Sequence, residues 1–350
     1  MKHTVTFFIT CLTIFSIFTL PGCKEDIKPV SVGSTGKTNE IVLVVNNHIG
    51  LKNPVIDTVK EYFTDYDMTL PQAEPLYSMF AVTEKELNSQ ITIQRHHNLL
   101  LVNIDPSLEK STVSVRKDAW STPQQVIQFN ANSDTAFYRI FNINKKAVMK
   151  FFDNNELLRA QNLTEFGKNL SLSDDIYKQF DLLMNIPAGF YPSVKHDDFI
   201  WFSQRTAKKD QDMIASIMIW QRPYTDELQF STDSLIDSRN RISRKYIAGS
   251  MPGSYMKTAT GYIYPSTEVI ADYATDFAVE MRGLWEMQGD FMGGPFISYT
   301  FAHPDTGQLI TIEAFLYNPN NPKRALMRQL ESIIRNVKFP EKKNTSSDIS

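Results

Sequence analysis

The chemistry legible in this chain begins with a thiol. Leu20-Pro21-Gly22-Cys23 sets an aliphatic residue three positions before a cysteine and a small residue directly before it, where an apolar run from Val5 to Leu20 ends. This is the arrangement a lipoprotein signal peptidase reads: cleavage after Gly22 frees the amino group of Cys23, and its sulfur carries diacylglycerol. Lys2 and His3 make a basic start to the leader, and the run falls short of the roughly 20 apolar residues that span a bilayer core. Residues 1–22 are therefore predicted to be a removed signal peptide, with the membrane reached through the lipid on Cys23. The other cysteine, Cys11, lies inside the leader. Intramolecular disulfides, cysteine-bound zinc and cysteine nucleophiles are thus excluded by counting.

The remaining reactive side chains form weaker patterns. Gly33-Ser-Thr-Gly-Lys-Thr38 has two residues between its glycines where a phosphate loop has four, and its strand follows the loop instead of preceding it, so no nucleotide site is expected. His96 and His97 adjoin a strand whose neighbouring residues point to opposite faces, which argues against one shared metal. They are expected at solvent or in a turn, as are His196 and His303. Gly249-Ser250 and Gly253-Ser254 make no nucleophile elbow, and paired carboxylates cannot be recognised from sequence separation. No catalytic residue, metal ligand or cofactor is assigned. Arg239, Arg241, Arg244 and Lys245 cluster on a predicted helix, either as a solvated face or as a contact for an anionic glycan or lipid headgroup.

The densest unusual stretch is Arg282-Gly-Leu-Trp285 followed by Gly289-Asp-Phe-Met-Gly-Gly-Pro-Phe296. Glycines permit backbone angles that other residues avoid, and an aspartate can bond neighbouring amides in a turn. A long hairpin carrying Arg282, Trp285, Asp290, Phe291 and Met292 is a candidate binding loop, with Trp285, Phe291 or Met292 facing outward. The competing reading is a buried hairpin with bulges.

These residues must be positioned by an α+β fold of two mixed modules. A β-branched run over 40–46 predicts a strand covered on both faces, Asn53-Pro54 starts a helix with Val55, Val59, Tyr62 and Phe63 on one stripe, and Thr83 to Glu86 reads as a capping box. Strands over 77–82, 99–104, 112–117 and 124–129 and a long helix over 133–161 complete an N-terminal α/β domain, 40–170. The boundary is set within 165–186. A C-terminal α+β domain, 171–340, has a helix near 174–184, a turn at 186–190, strands at 199–204 and 214–221, and a helix marked by Leu235, Ile242 and Tyr246. Three consecutive strands, 279–287, 296–302 and 309–317, imply a mostly antiparallel sheet. It is closed by a helix whose apolar stripe is Leu326, Leu330, Ile333 and Val337, with Lys323, Arg324, Arg328 and Arg335 opposite. Residues 23–39 are expected as a flexible tether and 341–350 as a disordered tail.

The chain has 36 basic and 39 acidic residues, and the leader removes only Lys2, so no field for nucleic acid exists. Lys24-Glu25-Asp26 resembles the signal that sends Bacteroidota lipoproteins to the outer face of the outer membrane; the alternative is a plain tether on a periplasm-facing protein. Gly253-Ser-Tyr-Met256, Arg282 to Trp285, Gly289 to Phe296, Lys323-Arg324 and Asp198-Phe-Ile-Trp201 resemble an uncharacterised lipoprotein family of the Bacteroidota, a domain of unknown function, from about Gly36 to Phe339. That resemblance implies no activity. In layout, with Ile186-Pro-Ala-Gly-Phe190, the second half looks like the Mog1/PsbP-type α/β/α sandwich, which implies partner binding. The expected function is a non-enzymatic envelope lipoprotein that binds or assembles with an envelope protein or glycan; the alternative is a lipid-anchored hydrolase acting on glycan or peptide.

Overall fold

A computed structural model describes residues 32–164, 167–208 and 211–341. The leader, Cys23, Lys24-Glu25-Asp26 and the expected tail beyond residue 341 lie outside the described residues. The fold is α+β and rests on two large sheets.

The first sheet grows from runs of apolar residues long enough to be covered twice. Its elements are β1 (Glu40–Val45), α1 (Pro54–Phe63), β2 (Ser78–Thr83), α2 (Glu84–Ser89), α3 (Ile91–Gln94), β3 (Asn98–Ile104), β4 (Thr112–Lys117), β5 (Gln125–Ala131) and α4 (Asp134–Thr164). The strand order is β2-β1-β3-β5-β4, parallel except for β4. Ile41, Leu43 and Val45 face α1 and α4, whereas Val42 and Val44 face the side where Leu87 of α2 packs, as the two-residue strand period requires. The predicted caps form. Asn53 accepts from Val55 N at 2.8 Å, and Thr83 and Glu86 bond each other's backbone amides. α4 buries Phe137, Phe141, Val148 and Phe152 on the sheet. At 1.5 Å per residue its 31 residues run about 45 Å, so its last turns project beyond the strands.

The second sheet is antiparallel throughout. It follows α5 (Leu170–Phe180) and β6 (Leu183–Met184), and contains β7 (Tyr191–His196), β8 (Phe199–Lys208), β9 (Gln211–Pro223), β10 (Tyr255–Ala259), β11 (Ser266–Ile270), β12 (Ala278–Gln288), β13 (Gly293–Ala302) and β14 (Gln308–Tyr317). The order is β10-β12-β13-β14-β9-β8-β7, with β11 also on β12. α5 and α7 (Arg324–Arg335) cover one face through Ile176, Phe180, Leu330 and Ile334; α6 (Thr232–Tyr246) covers the other through Leu235 and Ile236. Helices thus lie on both faces of this sheet. The helix predicted near 174–184 begins and ends about four residues earlier. Val337 leaves the terminal helix for β15 (Val337–Lys338), which pairs with β6.

The described residues fall in one compact unit, and α7 joins the two sheets. Lys323 has no local cap to offer the helix, and the carboxylate of Glu74 takes the place: it accepts from Lys323 N at 2.7 Å and Arg324 N at 3.1 Å. A negative group at a helix N-terminus satisfies orphan amides and meets the positive end of the helix dipole. The expected tether also differs from the structure over residues 32–39. Thr122 N donates to Val32 O, Thr35 N to Arg95 O and His97 N to Thr35 O, so this stretch is hydrogen-bonded to the first module.

Candidate functional site

The hairpin between β12 and β13 forms as predicted, but its residues divide between surface and core. Gly289, at φ 81°, turns the chain, and Met287 N closes the turn on Met292 O at 2.8 Å. The Asp290 carboxylate accepts from Phe291 N at 2.7 Å and from Ser250 N and Oγ at 3.0 and 2.5 Å. These bonds hold its carboxyl below the usual range against slight desolvation. Asp290 therefore ties the turn to the loop after α6. At its tip Phe291 is fully exposed, while Met292 is half-buried against the core beneath α6.

Trp285 does not face outward. It is 3 % exposed and meets the Phe315 ring edge-on at 5.7 Å. Strand alternation places it inward, in register with Gly294. Gly293 and Gly294 hold no left-handed angles; at Gly294 the constraint is space, since a Cβ would lie 1.9 Å from Leu316 O. The buried reading therefore describes the stem of the hairpin and the binding-loop reading its tip.

Arg282 is likewise no loop residue. Mid-strand in β12, it bonds Glu280 at 2.5 Å and Glu331 of α7 at 2.7 Å. Glu331 also meets Arg328 at 3.3 Å, Arg328 meets Asp153 of α4 at 2.7 Å, and the hydroxyls of Tyr77 and Tyr299 donate to Asp153 and Glu280. Burial alone would raise the Glu331 carboxyl; the guanidinium groups of Arg282 and Arg328 outweigh it and hold it at about 2. This chain of charges runs from the first sheet to the second along the face of α7 that sequence patterning assigned to basic residues alone. Glu280 with Arg282 and Arg328 with Glu331 are local pairs, but the links Arg282–Glu331 and Arg328–Asp153 join residues far apart in the chain, which no local pattern marks.

A second polar cluster overturns the expectation for the histidines. His96 and His97 are buried, and their rings stack at 4.5 Å. His97 Nε2 lies 2.6 Å from Glu156 on the projecting end of α4, and His96 Nε2 lies 3.1 Å from Glu40. Asn98 and Asn155 complete the cluster, with Asn98 Nδ2 donating to Glu156 at 2.8 Å and Asn155 Nδ2 to His97 O at 2.8 Å. Gly36 crosses above the rings at φ 102°, where a Cβ would fall 2.3 Å from His96 Nε2. The glycines read against a phosphate loop thus serve, at Gly36, a close passage over aromatic rings. His303 is also buried, though it fills a turn as expected, its Nδ1 accepting from Asp305 N at 3.0 Å and Thr306 N at 3.2 Å. His196 is exposed and stacks on Tyr246 at 4.6 Å.

Of the predicted basic cluster, Arg239 is fully buried. It forms a bidentate pair with Glu313 at 2.8–3.0 Å, donates to Thr258 at 3.1 Å and lies 4.1 Å from the Phe296 ring centre. Burial raises the Glu313 carboxyl, and Arg239 only partly offsets it. No group of metal-ligating side chains gathers among the described residues, and no described helix is long and apolar enough to cross a membrane.

Residues 169–336 match the model of a domain of unknown function, DUF4837, and residues 34–165 match that of a second domain of unknown function, DUF8532. Among solved structures the chain has a weak resemblance to the Ran-binding protein Mog1p of Saccharomyces cerevisiae, at 10 % identity and TM-score 0.30, covering 45 % of this chain and 90 % of that one. It is similar at the same level to LpqN, involved in cell envelope biogenesis of Mycobacterium tuberculosis, at 8 % identity and TM-score 0.27, covering 45 % and 83 %. No curated protein matches.

Proposed function

We propose that the chain is a non-enzymatic binding or assembly module of the cell envelope. A lipid on Cys23 holds it at the outer membrane, and Lys24-Glu25-Asp26 directs it to the cell surface. The observation that carries the binding role is the hairpin tip: Phe291 is fully exposed on a turn whose base Asp290 pins to Ser250. A large apolar ring held in water on a fixed turn loses little entropy on contact and suits an interaction anchor. The partner is an envelope protein or glycan. The hydrolase alternative gains no support, because the buried carboxylates Glu156, Glu313 and Glu331 are each engaged, by His97, by Arg239, and by Arg282 with Arg328.

Two measurements on cells test this reading. A fatty-acid analogue should label the wild type and leave Cys23→Ser unlabelled, while Ala-Ala-Ala in place of Lys24-Glu25-Asp26 should reduce antibody access on intact cells at constant total protein. A photo-crosslinking side chain at position 291 should capture a discrete envelope component that the same group at exposed Ile143 does not. Label on the serine variant would overturn the anchor, equal antibody access the sorting role, and identical capture at both positions the binding tip.

A further inference from the structure

The outer half of the basic helix builds a pocket that the hairpin reading does not use. With Arg239 turned inward, Arg241, Arg244 and Lys245 of α6 join Asn240 and, from β10, Tyr255 and Lys257 around an open concavity of about 540 Å³. The chain as a whole is net negative, at −3, so four cations on one concave surface depart from its average. Two carboxylates answer them: Glu286 lies 3.1 Å from Lys257, and Asp198 lies 3.9 Å from Lys245. Arg241 makes no ion pair or hydrogen bond among the described residues. Burial first, and then the charge of Arg241, lower the pKa of neighbouring Arg222, against an opposing pull from Asp226.

The walls of this pocket are fixed before any ligand arrives. β10 is an edge strand whose outward backbone groups are taken by the helix and the chain that follows it. Asn240 Oδ1 accepts from Thr258 N at 2.7 Å, Ser243 Oγ donates to Met256 O at 2.9 Å, and Met256 N donates to Ile247 O at 3.1 Å. The buried Arg239–Glu313 pair anchors the same helix from beneath. The Arg244 guanidinium lies over the Tyr255 ring at 4.6 Å. Stacking engages the face of the guanidinium and leaves its in-plane N–H fork, the geometry that grips two oxygens of one phosphate. Lys245 and Lys257 add point charges, and the volume falls within the range of small-molecule sites.

We propose that this pocket binds a phosphorylated ligand about the size of a sugar phosphate, borne either on a lipid headgroup or on a soluble molecule. Several converging cations favour a multiply charged oxyanion over a single carboxylate, because each added charge is met by another donor. The site shares no residue with the Phe291 turn, so failure of one leaves the other standing.

Calorimetric titration of the full-length chain in neutral detergent micelles tests it, with glucose 6-phosphate as probe, glucose as control, and micelles doped with phosphatidic acid. The phosphate ester should bind saturably, glucose should not, and raising the salt should weaken binding. Arg241→Gln with Arg244→Gln should weaken it about tenfold or more, the loss expected for charge-assisted hydrogen bonds. Phosphatidic acid that competes in the wild type and not in the double variant identifies a headgroup source; binding of the soluble ester alone identifies a soluble one. No saturable binding of either phosphate, equal affinity for glucose, or unchanged affinity in the double variant would overturn the site. Should that variant melt early, Lys257→Gln decides: retained affinity overturns the proposal and weakened affinity supports it.

Discussion

Both ring nitrogens of His97 face acceptors, Thr35 O at 2.7 Å and Glu156 Oε1 at 2.6 Å. Nδ1 must donate to the carbonyl, so a single proton lies between Nε2 and the carboxyl. Burial alone would raise Glu156, but the hydrogen bond and charge of His97 outweigh it and lower its pKa. His96 stacks on the His97 ring and is held towards its neutral form; its Nε2 lies 3.1 Å from Glu40, and its Nδ1 lies 3.2 Å from Asn98 N and 3.1 Å from Asn98 O. Burial first, and then the His97 charge, push it down to about 4 from 6.5. A neutral form favoured in the folded state binds fewer protons than the unfolded chain between those values. The His96 contribution to stability is therefore constant above pH 6.5 and falls by about 3 kcal/mol as pH drops to about 4. His96→Gln should flatten the fall in melting temperature across that window, and an unchanged pH slope would rule His96 out as its source. Melts of two hairpin variants make a second residue-scale comparison. Trp285→Ala should cost about 3–5 kcal/mol and Phe291→Ala almost nothing; equal losses would place Phe291 in the core. Gly289 and Asp290 were legible as turn-formers in sequence. The burial of Trp285 was not, because alternation gives two faces and only the tertiary fold says which is inside.

Elements with local punctuation were the readable ones. Asn53-Pro54 and Thr83 to Glu86 specify helix starts through atoms two or three residues away, and both caps form. β1 was legible because a strand buried on both faces needs an unbroken apolar run. β6 and β15, of two residues each, exist only through each other and leave no periodic trace. α7 shows the limit most plainly: its amphipathic period fixed which face packs on the sheet, yet its opposite, basic face meets Asp153 and Glu74 of the first module instead of solvent alone. The long-range cap can be tested. Glu74→Ala should lower stability by about 1–2 kcal/mol, the usual cost of a lost cap, and Glu74→Gln should lose less because an amide oxygen still accepts from the orphan N–H groups. Equal melting temperatures for all three proteins would mean that water satisfies the start of α7.

At the scale of the molecule, the joint between the two sheets is polar where each core is apolar. α7 belongs to the second module through Leu330, Ile333 and Ile334, and to the first through Arg328 on Asp153. Glu331 stands between two guanidinium groups and has 4 % of its side chain exposed, while Arg282 and Arg328 are partly exposed, so its buried charge is compensated by two half-buried cations. Removing one partner from such an array costs more than the pair contributes, because a charge is left buried. The direction with pH follows from its lowered carboxyl: the contribution is fully present above about 4.5 and is lost as pH falls towards 2. The joint should therefore weaken between about pH 4.5 and 2, below the range in which His96 destabilises the first module. Three of the four tryptophans, Trp201, Trp220 and Trp285, lie in the second module, so fluorescence reports mainly that half while far-ultraviolet dichroism reports both. At pH 7 the two signals should melt together. Between pH 4.5 and 2 they should separate, and Glu331→Gln should bring the separation to neutral pH by removing the charge that Arg282 and Arg328 share. Coincident melts at every pH, in wild type and variant alike, would show that apolar contact along α7 holds the sheets together without this array.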